Sequence, residues 1–401
     1  WYVSTTGSDS YNGSETYPFR TITKAISSAA AGDTIYIATG IYSETVVIDK
    51  DGISLIGADS ATTIIDPPGD STVTTLYGIY ADAKTNLHIS NLRITDCYYG
   101  IYFNNVDTSV INNVWVEWCG KTGGSGAGIT LRNGSDSNII QNCYVNKNYY
   151  GIFIESSNSN TLNNSIISEN LYEGIHIVTS NNITLSNNII SGNSWNGIYI
   201  YLSNNNILSN NIISGNSARG IFLYSSNSNT LSSNICSGNL NTGIRLWSSI
   251  SNMLMNNISS NNKTNSGYGF YIDGSSNYNY FIQNTADSNE MYGIYISDTC
   301  SFDTFVKNNI KTSPINPDSG VYNGTDTAFD FTRNYWSRAG SVTTDSQIIK
   351  NMITDIGTFN INYSPFRLGE IDTTVGADTI APRAPDTVGV SVFILGCTVS
   401  W

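Results

Sequence analysis

The sequence predicts an all-β fold: a right-handed, single-stranded parallel β-helix of about 23 residues per coil, with a short N-terminal capping helix. Three observations carry this. First, a Gly followed by an apolar residue recurs at Gly78, Gly100, Gly128, Gly151, Gly174, Gly197, Gly220, Gly243, Gly269 and Gly293. The intervals are 22, 28, 23, 23, 23, 23, 23, 26 and 24 residues, and repetition at such a period means a solenoid. Second, each Gly opens an apolar–x–apolar run such as Gly197-Ile198-Tyr199-Ile200, which has the period of a strand. Third, every unit carries two further apolar segments. One holds a Leu eleven residues after the Gly (Leu162, Leu185, Leu208, Leu231, Leu254), and the other an Asn-Ile-Ile run such as Asn188-Ile189-Ile190. Three strands per turn without intervening helices describe a triangular coil, and parallel crossovers are right-handed. A leucine-rich repeat of similar period would need an LxxLxLxxN core, which the sequence lacks.

The remaining elements follow in order. Residues 18–31 (PFRTITKAISSAAA) read as an amphipathic helix, with Phe19, Ile22, Ala25, Ile26 and Ala29 on one face. It would lie across the first coil and cover an otherwise open strand edge. Regular coils run over residues 76–312. Asn160, Asn206, Asn229 and Asn252 each stand nine residues after their Gly. Stacked in register, they would form an amide ladder that holds the turns. Cys97 and Cys119, 22 residues apart in the similar segments RITDC and WVEWC, would occupy neighbouring rungs. They would lie close enough for a disulfide, or simply fill equivalent small slots as thiols.

Composition narrows the partners. Hydrophobic residues make up 40% of the 401-residue chain and charged residues only 12%, about half the usual quarter. The formal net charge is −13, which argues against nucleic acid, whose recognition needs clustered Lys and Arg. No apolar run approaches membrane-spanning length, so membrane insertion is not expected. The sequence opens at Trp1 without a signal peptide, as a processed chain would.

With these residues laid out, the chain resembles the pectate-lyase-like superfamily of secreted bacterial β-helix proteins. The opening WYVSTTGSDSYNGSETYPFRTITKAI and the following GDTIYIATGIYSE are similar to the first coil of such proteins. The repeat NNIISGNSWNGIYI is similar to the sugar-handling and NosD-type repeats, and Asn334-Tyr335-Trp336 and INYSPF to the way these domains close. The resemblance covers residues 1–368 and implies export to the cell surface or medium. It implies no single activity, because lyases, hydrolases, epimerases and pure binders share it. Residues 369–401 read as a Thr/Pro/Ala linker and the first strands of a fibronectin type III-like domain, which implies further domains on the same chain. The chain is read as a monomer.

In each Gly-led strand the x positions point outward. One outward column holds Tyr102, Phe153, His176, Tyr199, Phe222, Arg245 and Tyr271, and the next holds Arg132, Glu155, Tyr201, Tyr224, Trp247 and Asp273. Tyr172, Glu173 and Trp195 lie just before their Gly. Aromatic faces bind pyranose C–H faces, so Tyr102, Phe153, Tyr172, Trp195, Tyr201, Phe222, Tyr224, Arg245, Trp247, Tyr271 and Asp273 are the candidate substrate contacts for a polysaccharide. The competing explanation is an aromatic ladder that stiffens the sheet. A uronate lyase or epimerase needs a base, an acid and a cation; His176, Tyr199 and Arg132 could supply them. A glycoside hydrolase would need two carboxylates, for which Glu155 and Glu173 are candidates. Arg219 is a second choice on a later rung. The alternative from another class is a non-catalytic adhesin or glycan-binding rod.

His88, in NLHISNLRI, reads as structural. No cofactor is identified. Some members of the resembled superfamily use Ca²⁺, which scattered acids such as Asp273 and Asp298 neither support nor exclude. Two histidines and four methionines without paired soft ligands suit copper poorly.

Overall fold

A computed structural model describes residues 1–69, 75–120, 126–297, 299–317, 319–325, 327, 329–331, 333–338, 341–342, 352–355, 391–394 and 397–400. The chain winds into a right-handed parallel β-helix with three faces. The first sheet has 13 strands, from Tyr2–Val3 to Thr304–Val306. The front sheet, built from the Gly-led strands, has 13, from Val46–Ile48 to Ile353–Asp355. The third has 14, and only its last pairing, Tyr335–Arg338 with Ser341–Val342, is antiparallel.

Register follows the Gly period. On the front sheet Ile152, Ile175, Ile198, Ile221 and Ile244 are successive partners, and all five are fully buried. The Leu162 to Leu254 column forms the inner line of the first sheet. Each such side chain contributes about 1.5–3 kcal/mol by leaving water, so the stack of rungs is the core. The Gly column is explained by space. A Cβ on Gly174 would lie 2.7 Å from Ile190 Cγ2 and 2.8 Å from both Asn193 Nδ2 and the Gly197 carbonyl.

The corners are held by buried Asn. The expected ladder runs Asn206, Asn229, Asn252, Asn279, Asp303, each backbone N–H donating to the next side-chain oxygen. Asn160 is separated from it by Ile183 and bonds Asn138 instead. Two further ladders were not anticipated. One joins Asn148, Asn170, Asn193, Asn216, Asn239, Asn262 and Asn289. The other joins Asn188, Asn211, Asn234, Asn257, Asn284, Asn308 and Asn334. Between the strands, residues such as Asn187, Asn210 and Asn256 take φ of 55–56°, a conformation that Asn tolerates better than most residues.

The N-terminal helix spans Ile22–Ser28, shorter than the expected 18–31. Phe19 instead pairs with Val3 as an extended bridge, and Asp9 accepts the N–H groups of Arg20 and Thr21. Thr21 caps the helix by accepting from Lys24 N, and Glu44 receives the N–H groups of Ile22 and Thr23. Phe19, Ile22, Ala25, Ile26 and Ala29 are buried on the first coil, as the amphipathic pattern requires.

Cys97 and Cys119 stack inside the coil as free thiols, with their sulfurs 3.2 Å apart. Beyond residue 355 the structure describes only a hairpin, Ser391–Ile394 with Cys397–Ser400. The expected linker and the INYSPF closure lie outside the described residues.

Candidate functional site

The outward columns of the front sheet meet in its middle rungs around Glu173 and His176. Strand Ile175–Val178 places His176 between Phe153 and Tyr199 on the neighbouring rungs. Its ring packs against Tyr150, Phe153 and Tyr199 at centroid distances of 5.3, 5.1 and 4.9 Å. Glu173, three residues earlier, is 1% exposed. Its Oε2 lies 3.9 Å from His176 Nδ1, and neither atom has a hydrogen-bond partner. Only Oε1 is engaged, by Asn196 Nδ2 at 3.3 Å.

Burial sets the protonation of this couple. It raises Glu173 to about 8 and lowers His176 to about 4. At neutral pH the couple is a carboxylic acid facing a neutral imidazole, although the atoms stand at ion-pair distance. Burial, then the nearby Glu173, raises Tyr199 to about 12, so its phenol keeps its proton. The surroundings of Tyr150 push it up as well, with burial as the largest cause.

Two arginine systems flank the couple. Arg132 is ion-paired to Glu155 at 2.6 Å and lies over the Phe153 ring, so its charge is already answered. Arg245 is ion-paired to the buried Asp273 and packs on Trp247 and Tyr271. Between them in sequence, Arg219 stacks on Phe222 at 4.6 Å, its Nε buried and unbonded. Burial, then repulsion from Arg245, lowers Arg219 to about 10. Among the described residues no carboxylate pairs with it.

The candidate residues are therefore assembled unevenly. His176, Tyr199 and Glu173 come together, with Arg132 one ring away beyond Phe153. Glu155 and Glu173 do not form a facing carboxylate pair. Glu155 is level with Val178, five residues along the strand from Glu173, so their backbones stand about 16 Å apart.

The outward aromatics largely stack on one another. Tyr172 lies between Tyr149 and Trp195, and Tyr224 lies between Tyr201 and Trp247. Tyr199 covers Phe222, and Tyr102 packs with Tyr77, Tyr80 and Tyr99. Phe153 and Phe222 are buried although their column faces outward. Asn196 was not singled out from sequence. Its only signal was that it shares the pre-Gly column with Glu173 and Arg219.

The metal question can be put to the donors themselves. His176 is enclosed by rings, while His88 stands on the first sheet beside Ser54 and Val110. The described cysteines, apart from the hairpin's Cys397, are buried in the coil. No group of three or more His, Cys, Asp or Glu converges among the described residues, and this donor set does not fit a copper centre.

Comparison with known proteins agrees with the architecture. A family model described as "Periplasmic copper-binding protein (NosD)" matches residues 119–285. One described as "Pel9A-like, right handed beta helix region" matches residues 1–152. No curated protein matches. Among solved structures, the chain is similar to the A-modules of two mannuronan C-5 epimerases of Azotobacter vinelandii. One is 17% identical with a TM-score of 0.57, covering 81% of this chain and 94% of that one. The other is 15% identical with a TM-score of 0.58, covering 85% and 93%. A complex of XylC with xylose gives 12% identity and a TM-score of 0.58, covering 86% of each chain. At these identities the likeness shows the fold alone. No helix among the described residues is long and apolar enough to cross a membrane.

Proposed function

We propose that this chain is an extracytoplasmic carbohydrate-processing β-helix that acts on an acidic polysaccharide lying along the front sheet. The reaction class is proton abstraction beside a uronate carboxylate, followed by elimination or by reprotonation. The observation that carries this is the Glu173–His176 couple. Two titratable groups buried without mutual satisfaction weaken a fold, and such groups in one outward cluster mark a functional site.

The roles follow from the environments. Neutral His176 has a lone pair with which to accept the carbon-bound proton. Tyr199 and Glu173 both hold protons at neutral pH and can return one to the product or leaving group. Arg219, with no carboxylate partner, is better placed than the occupied Arg132 to balance the charge of the enolate. Export is supported by the periplasmic description of one matching family.

A second reading has its own support. The ring-on-ring stacking of Tyr149, Tyr172 and Trp195 is what a stiffened, non-catalytic glycan-binding rod would show.

Incubation with polymannuronate, polyguluronate and polygalacturonate separates the two. Ultraviolet absorbance follows unsaturated ends, and proton NMR follows epimer content. Turnover that falls about a hundredfold or more in His176→Ala is expected for a general base. Binding without turnover of any acidic polymer would favour the rod.

A further inference from the structure

The ladder that runs beside the Glu173 column has a gap, and the gap has the makings of a sugar subsite. Tyr149, Tyr172 and Trp195 occupy successive rungs two positions before their Gly, with centroids 5.5 and 5.8 Å apart and planes within 14°. The next rung, held to Trp195 by the Ala218 N–H to Trp195 carbonyl bond of 3.0 Å, carries only a methyl group. The one after carries Asn241. The aromatic stack therefore ends at Trp195, which is 44% exposed. Of the front-sheet rings only Trp195 and Trp247 are so exposed, while those inside the stacks are covered by their neighbours.

Chemistry beside the gap is polar and cationic. Asn196, next to Trp195, bonds Glu173 on one rung and accepts the Arg219 N–H on the other. Arg219 follows Ala218 directly, with its guanidinium free of any carboxylate partner among the described residues. An apolar face, a missing ring and a cation thus stand one coil from the Glu173–His176 couple.

We infer that the Ala218 gap is a subsite for one uronate ring of the polymer, stacked on Trp195 with its carboxylate toward Arg219. This rests on the proposed action on acidic polysaccharide and adds where the chain is gripped next to the reacting sugar. The stack continues in the bound state, with a pyranose in place of the ring that Ala218 lacks.

The inference is testable by filling the gap. Ala218→Tyr extends a ladder whose equivalent slots already hold Tyr149 and Tyr172, so the coil should accept it. Trp195→Ala removes the platform. Titration calorimetry with polymannuronate and with a neutral mannan is run on wild type and both variants, with circular dichroism melts to verify folding. Each variant is expected to weaken polymannuronate binding about tenfold or more, the order of one lost aromatic contact. Arg219→Gln is expected to abolish the preference for the acidic polymer. Wild-type affinity in Ala218→Tyr and Trp195→Ala overturns the subsite while leaving the functional reading intact. Absence of any polymannuronate binding by the wild type overturns both. If Ala218→Tyr melts early, Trp195→Ala decides alone.

Discussion

The corners and the front sheet of this coil both bury polar side chains, and they do so in opposite ways. At the corners every Asn hands its amide to the next. Asn211, for example, donates from N and Nδ2 to Asn234 Oδ1 and from Nδ2 to the Leu185 carbonyl. On the front sheet, Glu173 Oε2 and His176 Nδ1 face each other and bond to nothing. Satisfied burial builds the scaffold, and unsatisfied burial leaves a group poised for something outside the protein. The same chain thus separates architecture from chemistry by hydrogen-bond satisfaction, not by residue type or depth.

The comparison can be broken most forcefully at the corner. Asn234→Ala leaves Asn211 without its acceptor and the Leu208 carbonyl without its donor. The expected loss is about 3 kcal/mol or more, since each orphaned buried group costs about 1–3 kcal/mol. Denaturant unfolding, with hydrogen exchange on the flanking coils, reads it. A loss under about 1 kcal/mol would mean that the ladder is ornamental.

A subtler effect lies in pH. Glu173 is raised from 4.5 to about 8 and His176 is lowered from 6.5 to about 4. The folded state holds the Glu173 proton where the unfolded state has lost it, so this contribution to stability declines as pH rises from about 4.5 to 8. His176 acts oppositely, and its contribution grows as pH rises from about 4 to 6.5. Above pH 6.5 only Glu173 remains of the two. Between pH 6.5 and 8 the wild type should therefore lose melting temperature relative to Glu173→Gln, and the two should converge toward lower pH. Parallel curves would place the Glu173 proton elsewhere.

The smallest expected effect concerns the ladder's one irregular member. Asp303 ends the Asn206 series, with Oδ1 bonded to Asn279 and Oδ2 buried and unbonded. Burial raises it to about 7, so its contribution also declines as pH rises from 3.8 to about 7. Asp303→Asn should stabilise the protein by about 1 kcal/mol at pH 8 and by less at pH 5. Equal effects at both pH values would separate the gain from ionisation.

Much of this was legible in the residues. The Gly spacing alone gives the front-sheet register, including the 28-residue step between Gly100 and Gly128, which the structure pairs as Tyr102 with Thr130. The Asn ladders were only partly legible. Asn before Ile-Ile reads as a turn residue, and nothing local announces that its amide points inward. The helix was read too long because apolar spacing from Phe19 fits a helix, while the bridge to Val3 that holds it extended is a tertiary contact. His176 and Glu173 were visible as neighbours. Their burial was not, because it depends on Tyr150, Phe153 and Tyr199 leaning over them from adjacent rungs. The gap at Ala218 was equally hidden, since an alanine carries no signal until the rings beside it are seen to stack.

The central claim is that the front-sheet couple is kept for chemistry at the expense of the fold. The most direct test is the unfolding free energy of the double replacement Glu173→Met/His176→Phe, which keeps volume and removes both unsatisfied groups. The account predicts a protein at least as stable as the wild type at pH 7, since apolar groups of similar shape replace orphaned polar ones. A loss of several kcal/mol would contradict it, because the couple would then be part of the scaffold.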